Sequence, residues 1–350
     1  MTVRNWPLML VSTLAFELGG CQAGVEPEAR PDAAVGDAEP AQASGETDAS
    51  PAPEAPADAE RAAPRPDAAV SAAEPPTAAI DAPDRRRAVH DVVYLRPTKT
   101  HDGATYTWRI IERPAGSTTR PVEALGGDPQ SPLTEALEDD PETPTAVLFL
   151  DQVGAYTVTL LVVAADGAQA EANATFESTT GSAIHIELSW DTPGDANQID
   201  GAGTDVDMHF TRPGGTWNTS SDCHHAHPAP DWGAVDDARD DPALDLDDVD
   251  GAGPENIHLD APEDTENLGG PYQVGVDYFR EEDLGTLEGY GSSFVTVRVY
   301  LDGALAWMNE APRELAHAQA FWHVGEIIWT PMDHRFQALD RVYDQVPRVP

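Results

Sequence analysis

The chain has 350 residues, 62 acidic against 20 basic side chains, and a formal net charge of −42; at about 150 residues per domain that length leaves room for roughly two domains. A surface so negative repels phosphates instead of exchanging them for counterions, which excludes a nucleic-acid partner. Divalent cations, basic partners or plain solubility at a crowded surface fit the balance. The only cysteines, Cys21 and Cys223, do not make a disulfide framework.

The chain opens "MTVRNWPLMLVSTLAFELGGC", with Arg4 ahead of a mostly apolar run from Trp6 to Leu18. That run falls short of the ~20 apolar residues a membrane helix needs and has the tripartite build of a secretion signal. Gly19 and Gly20 directly before Cys21 resemble a bacterial lipobox, although Glu17 departs from the usual apolar stretch. The resemblance implies that residues 1–20 are a lipoprotein signal peptide and that Cys21 is acylated, each buried methylene adding about 0.8 kcal/mol of anchoring. Gln22, where an aspartate would signal inner-membrane retention, points to the outer membrane. The expected location is therefore the bacterial cell envelope, with the membrane reached through the lipid.

Residues 21–87 are almost all Ala, Pro, Ser, Thr and acidic side chains, without aromatics from Gln22 to Asp84. Such a stretch buries too little apolar surface to offset its ordering entropy, and prolines with mutually repelling charges keep it extended. It reads as a disordered tether.

From residue 88 the pattern turns to strands. "ATYTWRII" places Tyr106, Trp108 and Ile110 on one face, and "TAVLFLDQVGAYTVTLLVVAADG" gives two β-rich runs broken at Asp151–Gly154, with a turn at Asp166-Gly167. Tyr106, Trp108, then Asp151, Gly154, Tyr156, Val158 and Leu160, resemble the polycystic-kidney-disease-type module, an immunoglobulin-like domain of secreted bacterial proteins. That resemblance implies a non-catalytic β-sandwich over 88–180, acting as a spacer or adhesion unit.

Residues 182–350 alternate in the same way: "AIHIELSW", "DVDMHF", "PYQVGVDYF", "SFVTVRVYLDG" and "AFWHVGEIIWTP" each read as a strand, and "NEAPRELAHAQ" as a short helix. The fold class is thus all-β, two β-sandwich domains in tandem after the tether. The tryptophans, Trp190 and Trp322 among them, sit in apolar runs and read as core.

The stretch "LDLDDVDGAGPEN", Leu244 to Asn256, crowds negative charge. Carboxylates about 5 Å apart repel by roughly 3 kcal/mol per pair at an effective dielectric of about 20, so the loop either splays into water or encloses a cation. Oxygen ligands on a flexible, glycine-rich backbone suit calcium, which takes about six to eight of them. Asp205 and Asp207 share a strand face about 6.6–6.8 Å apart and approach from one side. The candidate ligands are Asp205, Asp207, Asp245, Asp247, Asp248, Asp250, Glu255 and Asn256. The loop is not an EF-hand, since the twelfth position from Asp245 is Asn256 and no helices flank it; a solvated loop, or magnesium or manganese, remain alternatives.

Thr204-Asp205-Val206-Asp207-Met208-His209, followed by Asp245, Asp247, Asp248, Asp250, Gly251, Gly253, Pro254, Glu255 and Asn256, resemble an uncharacterised bacterial domain family of secreted and envelope proteins. The resemblance covers about residues 185–305 and implies a compact β-sandwich, with no activity attached. An insertion, Asn218 to Ala243, and the segment beyond 305 depart from it. Within the insertion, Cys223, His225 and His227 alternate, so in an extended segment they would point one way, a thiolate-imidazole set suited to zinc or copper.

No Gly-x-Ser-x-Gly, His-Glu-x-x-His or P-loop pattern occurs. The reading is a non-catalytic, lipid-anchored envelope protein displaying a calcium-stabilised sandwich for binding or adhesion to a glycan or protein. The alternatives are a zinc-dependent envelope enzyme using Cys223, His225, His227 or the adjacent His224, and a passive surface spacer.

Overall fold

The computed structural model describes residues 75–82, 84–119, 145–198, 203–249, 251–281 and 289–347. Cys21, the signal segment and most of the tether lie outside them, as does Asp250. The described chain is nearly all β-structure.

Seven strands build the first sandwich: β1 (Ile80–Asp81), β2 (Arg86–Ala88), β3 (Val92–Pro97), β4 (Thr105–Glu112), β5 (Ala146–Phe149), β6 (Gly154–Val163) and β7 (Gln169–Thr179). They form a three-stranded sheet ordered β1-β3-β5 and a four-stranded sheet ordered β2-β7-β6-β4. Because successive side chains of a strand point to opposite faces, Val93 and Leu95 from one sheet meet Trp108, Tyr156, Val158, Leu160 and Phe176 from the other in one dry core. The Asp151 carboxylate fixes the turn before β6, accepting from Ser117 Oγ at 2.6 Å, Tyr156 Oη at 2.7 Å and the Thr118 N–H at 2.8 Å.

The second sandwich comprises β8 (Ile184–Asp191), β9 (Thr204–Thr211), β10 (Asp222–Cys223), β11 (Ala243–Leu246), β12 (Glu255–Leu259), α1 (Thr265–Leu268), β13 (Tyr272–Glu281), β14 (Ser293–Leu301), β15 (Ala304–Met308), β16 (Arg313–Leu315), β17 (Phe321–Thr330) and β18 (Asp333–Tyr343). One sheet runs β10-β9-β13-β17-β18; the other runs β11-β12-β8-β14-β15, with β16 also on β14. Ile184, Ile186, Leu188 and Trp190 face Val206, Met208, Phe210, Val274, Val276 and Trp322 across the core. The segment beyond 305 is integral, since β17 pairs with β13 from Phe321 to Ile327.

The helix expected over "NEAPRELAHAQ" is absent. The Asn309 amide instead bonds the edge of β14, accepting from Val297 N at 2.8 Å and donating to Val295 O at 3.0 Å. Pro312 cannot donate in a helix, and β16 then pairs Arg313 with Val295.

The polar faces of β8 and β9 are both buried. His185 and Glu187 of β8 lie against the first sandwich, where Val153 N donates to Glu187 Oε1 at 2.6 Å and Tyr300 Oη to Glu187 Oε2 at 3.2 Å. The outward side chains of β9 are buried too; the insertion lies alongside, Trp217 ringing against His209 and Phe321, and Trp232 against Phe210.

Candidate metal centre

Strand β9 is paired with β13 from Thr204 to Thr211, but β10 covers its other edge only at Phe210 and Thr211. The rest of that edge is met by the start of β12, where the Met208 N–H donates to Glu255 Oε2 at 2.7 Å. Alternation sends Val206, Met208 and Phe210 into the core and turns Asp205 and Asp207 outward, and both are nevertheless at most 3% exposed. Three acidic residues from three elements therefore meet at one edge of the sandwich. One carboxylate oxygen each from Asp207, Asp247 and Glu255 lie within 4.8 Å of one another. Asp247 is exposed and opens the cluster to solvent, while Asp207 and Glu255 are buried.

Their electrostatics are unfavourable without a counter-charge. Asp205 Oδ1 and Glu255 Oε1 are buried and lack hydrogen-bond partners. Burial, then the neighbouring Asp207 charge, push the Asp205 carboxyl up to about 7 even though Arg280 Nε stands 3.1 Å away and pulls the other way. Burial, followed by the charges of Asp207 and Asp247, holds Glu255 well above the usual carboxylate range. His225 Nδ1 stands 2.9 Å from Asp207 Oδ2, and that close carboxylate raises the imidazole pKa against the effect of burial. The donor set is hard oxygen, from strands at Asp207 and Glu255 and from a loop at Asp247, which fits calcium, and a cation would satisfy the orphaned oxygens.

The expected ligands separate into two groups. Asp207, Asp247 and Glu255 converge, with Asp205 on the same strand face as Asp207 but bonded to Arg280 Nε at 3.1 Å. Asp245 turns to the other side and pairs with His258 Nδ1 at 2.6 Å. Asn256, one residue along a strand from Glu255, points oppositely and donates to Asp151 O at 3.0 Å, with His90 Nε2 at 2.9 Å. Asp248 is half-buried and is not one of the three clustered carboxylates.

Cys223, His225 and His227 do not share a face. The segment turns instead of extending: His224 and His227 bridge each other, Cys223 ends β10 in the core, and its Sγ donates to Pro228 O at 3.4 Å. Burial pushes that thiol far up, the reverse of what a thiolate ligand needs.

Several groups beside the site escaped sequence reasoning. His209 Nδ1 and Asp222 Oδ2 form a buried pair 2.7 Å apart; burial alone would lower the imidazole pKa, but the Asp222 charge and hydrogen bond outweigh it and raise it. Asp277 of β13 lies directly across from Asp207 and is raised to about 6 by burial, against the pull of His209. Alternation in "PYQVGVDYF" was the available signal, since it sets Asp277 on the face opposite Val274 and Val276.

No protein-family model matches the chain, and no curated protein matches it significantly. A solved structure described as bearing on the promiscuous specificity of carbohydrate-binding modules from the β-sandwich superfamily is 15% identical, with a TM-score of 0.19, over 68% of this chain and 97% of that one. Similarity at that level transfers neither fold detail nor ligand.

Proposed function

We propose that this chain is a non-catalytic binding protein of the cell envelope, lipid-anchored through Cys21, whose second sandwich is held in its binding form by a calcium ion. Asp207, Asp247 and Glu255 are the ion's ligands, with Asp205 completing or adjusting the shell. The polycystic-kidney-disease-type resemblance makes the first sandwich the spacer that carries it. One observation supports this reading above the others: carboxylate oxygens of Asp207, Asp247 and Glu255 come within 4.8 Å of one another while Asp207 and Glu255 are buried and Glu255 Oε1 has no hydrogen-bond partner. Like charges held so close cost several kcal/mol unless a cation lies among them. The rival zinc enzyme has less support, because Cys223 and His225 diverge.

The test is calorimetric titration of calcium into the purified chain and into Asp207→Asn. The reading expects one saturable site in the natural chain and an affinity lower by at least about tenfold in the variant. Heat indistinguishable from buffer in both would remove it.

A further inference from the structure

The outer face of the five-stranded sheet carries a cleft that adjoins the carboxylate cluster but is lined by none of Asp207, Asp247 or Glu255. It encloses about 560 Å³ and is lined by Trp217, Asn218, Asp277, Phe279, Gln319 and Gln345, among others. Asp277 supplies the cleft's one charged side chain among the described lining residues. It is 7% exposed, and its Oδ1 is buried with no hydrogen-bond partner.

The cations nearby are already engaged. His209 is held by Asp222 at 2.7 Å, His225 stands 2.9 Å from Asp207, and Arg280 Nε is bonded to Asp205 at 3.1 Å. One imidazole thus lies between Asp222 and Asp277, and even when protonated it leaves a net negative charge at the cleft floor. A neutral ligand would leave that charge uncompensated, and an anion would be repelled. The rim is suited to a cation as well. Phe279 is 40% exposed, and its ring already carries the Arg280 guanidinium 5.8 Å from its centroid; Trp217 is half-buried beside it. Exposed amides at Asn218, Gln319 and Gln345 offer carbonyl oxygens to further N–H donors.

We propose that this cleft binds a guanidinium or ammonium group, the side chain of arginine or lysine in a basic partner polypeptide. The charged head would pair with Asp277 and lie against Trp217 and Phe279. This rests on reading the sandwich as a recognition module, and the chain's −42 charge would steer such a partner toward it.

The test is calorimetry on the full chain in calcium at high salt, which screens the general field. The probes are agmatine and an acetylated Gly-Arg-Gly amide. The expected result is one-to-one binding of the peptide, weakened at least about tenfold by Asp277→Asn and by Trp217→Ala, and unchanged by Asp231→Asn, a control at an exposed acid. Asp277→Asn removes a single charge of the 42 net, so a loss of that size must be local; melting curves confirm that each variant is folded. Agmatine binding as tightly as the peptide would overturn the polypeptide source in favour of a free amine. Peptide heats that vanish at high salt or survive both variants, or a neutral oligosaccharide such as maltotriose binding with the same sensitivity, would overturn the site. Calcium heats measured on the same sample separate the failures: intact calcium binding without peptide binding removes this inference alone.

Discussion

His323 shows how burial alone gives one side chain a thermodynamic role. Its ring is 9% exposed, edge-on to Trp217 at 5.4 Å, and burial, with the Arg341 charge adding, lowers its pKa from 6.5 to about 4. Between those values the unfolded chain binds a proton that the native chain refuses, so stability is lost as pH falls through that window. At about 1.4 kcal/mol per pH unit the loss is up to roughly 3 kcal/mol. Urea melts of the natural chain and His323→Phe at the two ends of the window should differ by that amount, because other groups titrating there cancel in the comparison; equal losses would show that the imidazole is not held neutral. Gly253 is fixed by geometry instead. Its φ is 78°, and a Cβ there would stand 2.6 Å from Cζ3 of Trp190. Gly253→Ala is expected to cost about 2 kcal/mol or more and to weaken calcium binding, since the residue lies in the loop between Asp247 and Glu255; unchanged melting and calcium affinity would contradict this.

Strand β12 joins two jobs in adjacent residues. Glu255 faces the carboxylate cluster, and Asn256, turned the other way, reaches Asp151 of the first sandwich. Thr118 Oγ1 also bonds Gly253 O at 2.9 Å, so the loop between Asp247 and Glu255 also holds the joint between the sandwiches. Asn256→Ala should destabilise the chain by roughly 1–3 kcal/mol, the range for a buried bond left unmade, and speed hydrogen exchange at residues 151–153 more than in distant β18; uniform exchange would argue against a local joint. Alternation made most strands legible, as in "AIHIELSW" and "DVDMHF", because a period of two sets the buried face regardless of what covers the other. It could not show that His185 and Glu187 meet the first sandwich or that Asp205 and Asp207 lie buried, since those depend on contacts between distant segments. Of the acidic loop, the charge density marked a stretch from which two carboxylates, Asp247 and Glu255, come together with Asp207. The orientation of Asp245 and Asn256 was hidden because it depends on the register of β11 and β12, where a bulge between Leu244 and Leu246 shifts the pairing. The apparent alternation of Cys223, His225 and His227 misled because a turn at His224–His227 replaced the extended chain it assumed.

At the scale of the whole molecule, most of the acidic side chains can be left to solvent, while at the β9 edge the carboxylates of Asp207, Asp247 and Glu255 are crowded together with two of the three buried. A divalent ion there would join the edge of one sheet to the end of the other, closing the side of the sandwich and steadying the joint with the first. Binding to the native state alone raises stability with ligand concentration, about 2.7 kcal/mol at one hundred times the dissociation constant. The most direct test follows the melting temperature of the purified chain across a calcium series and after chelation. The account predicts a melting temperature that climbs with calcium concentration, falls by several degrees in chelator, and loses both responses in Asp207→Asn. A melting temperature indifferent to calcium and chelator alike, in the natural chain, would contradict it.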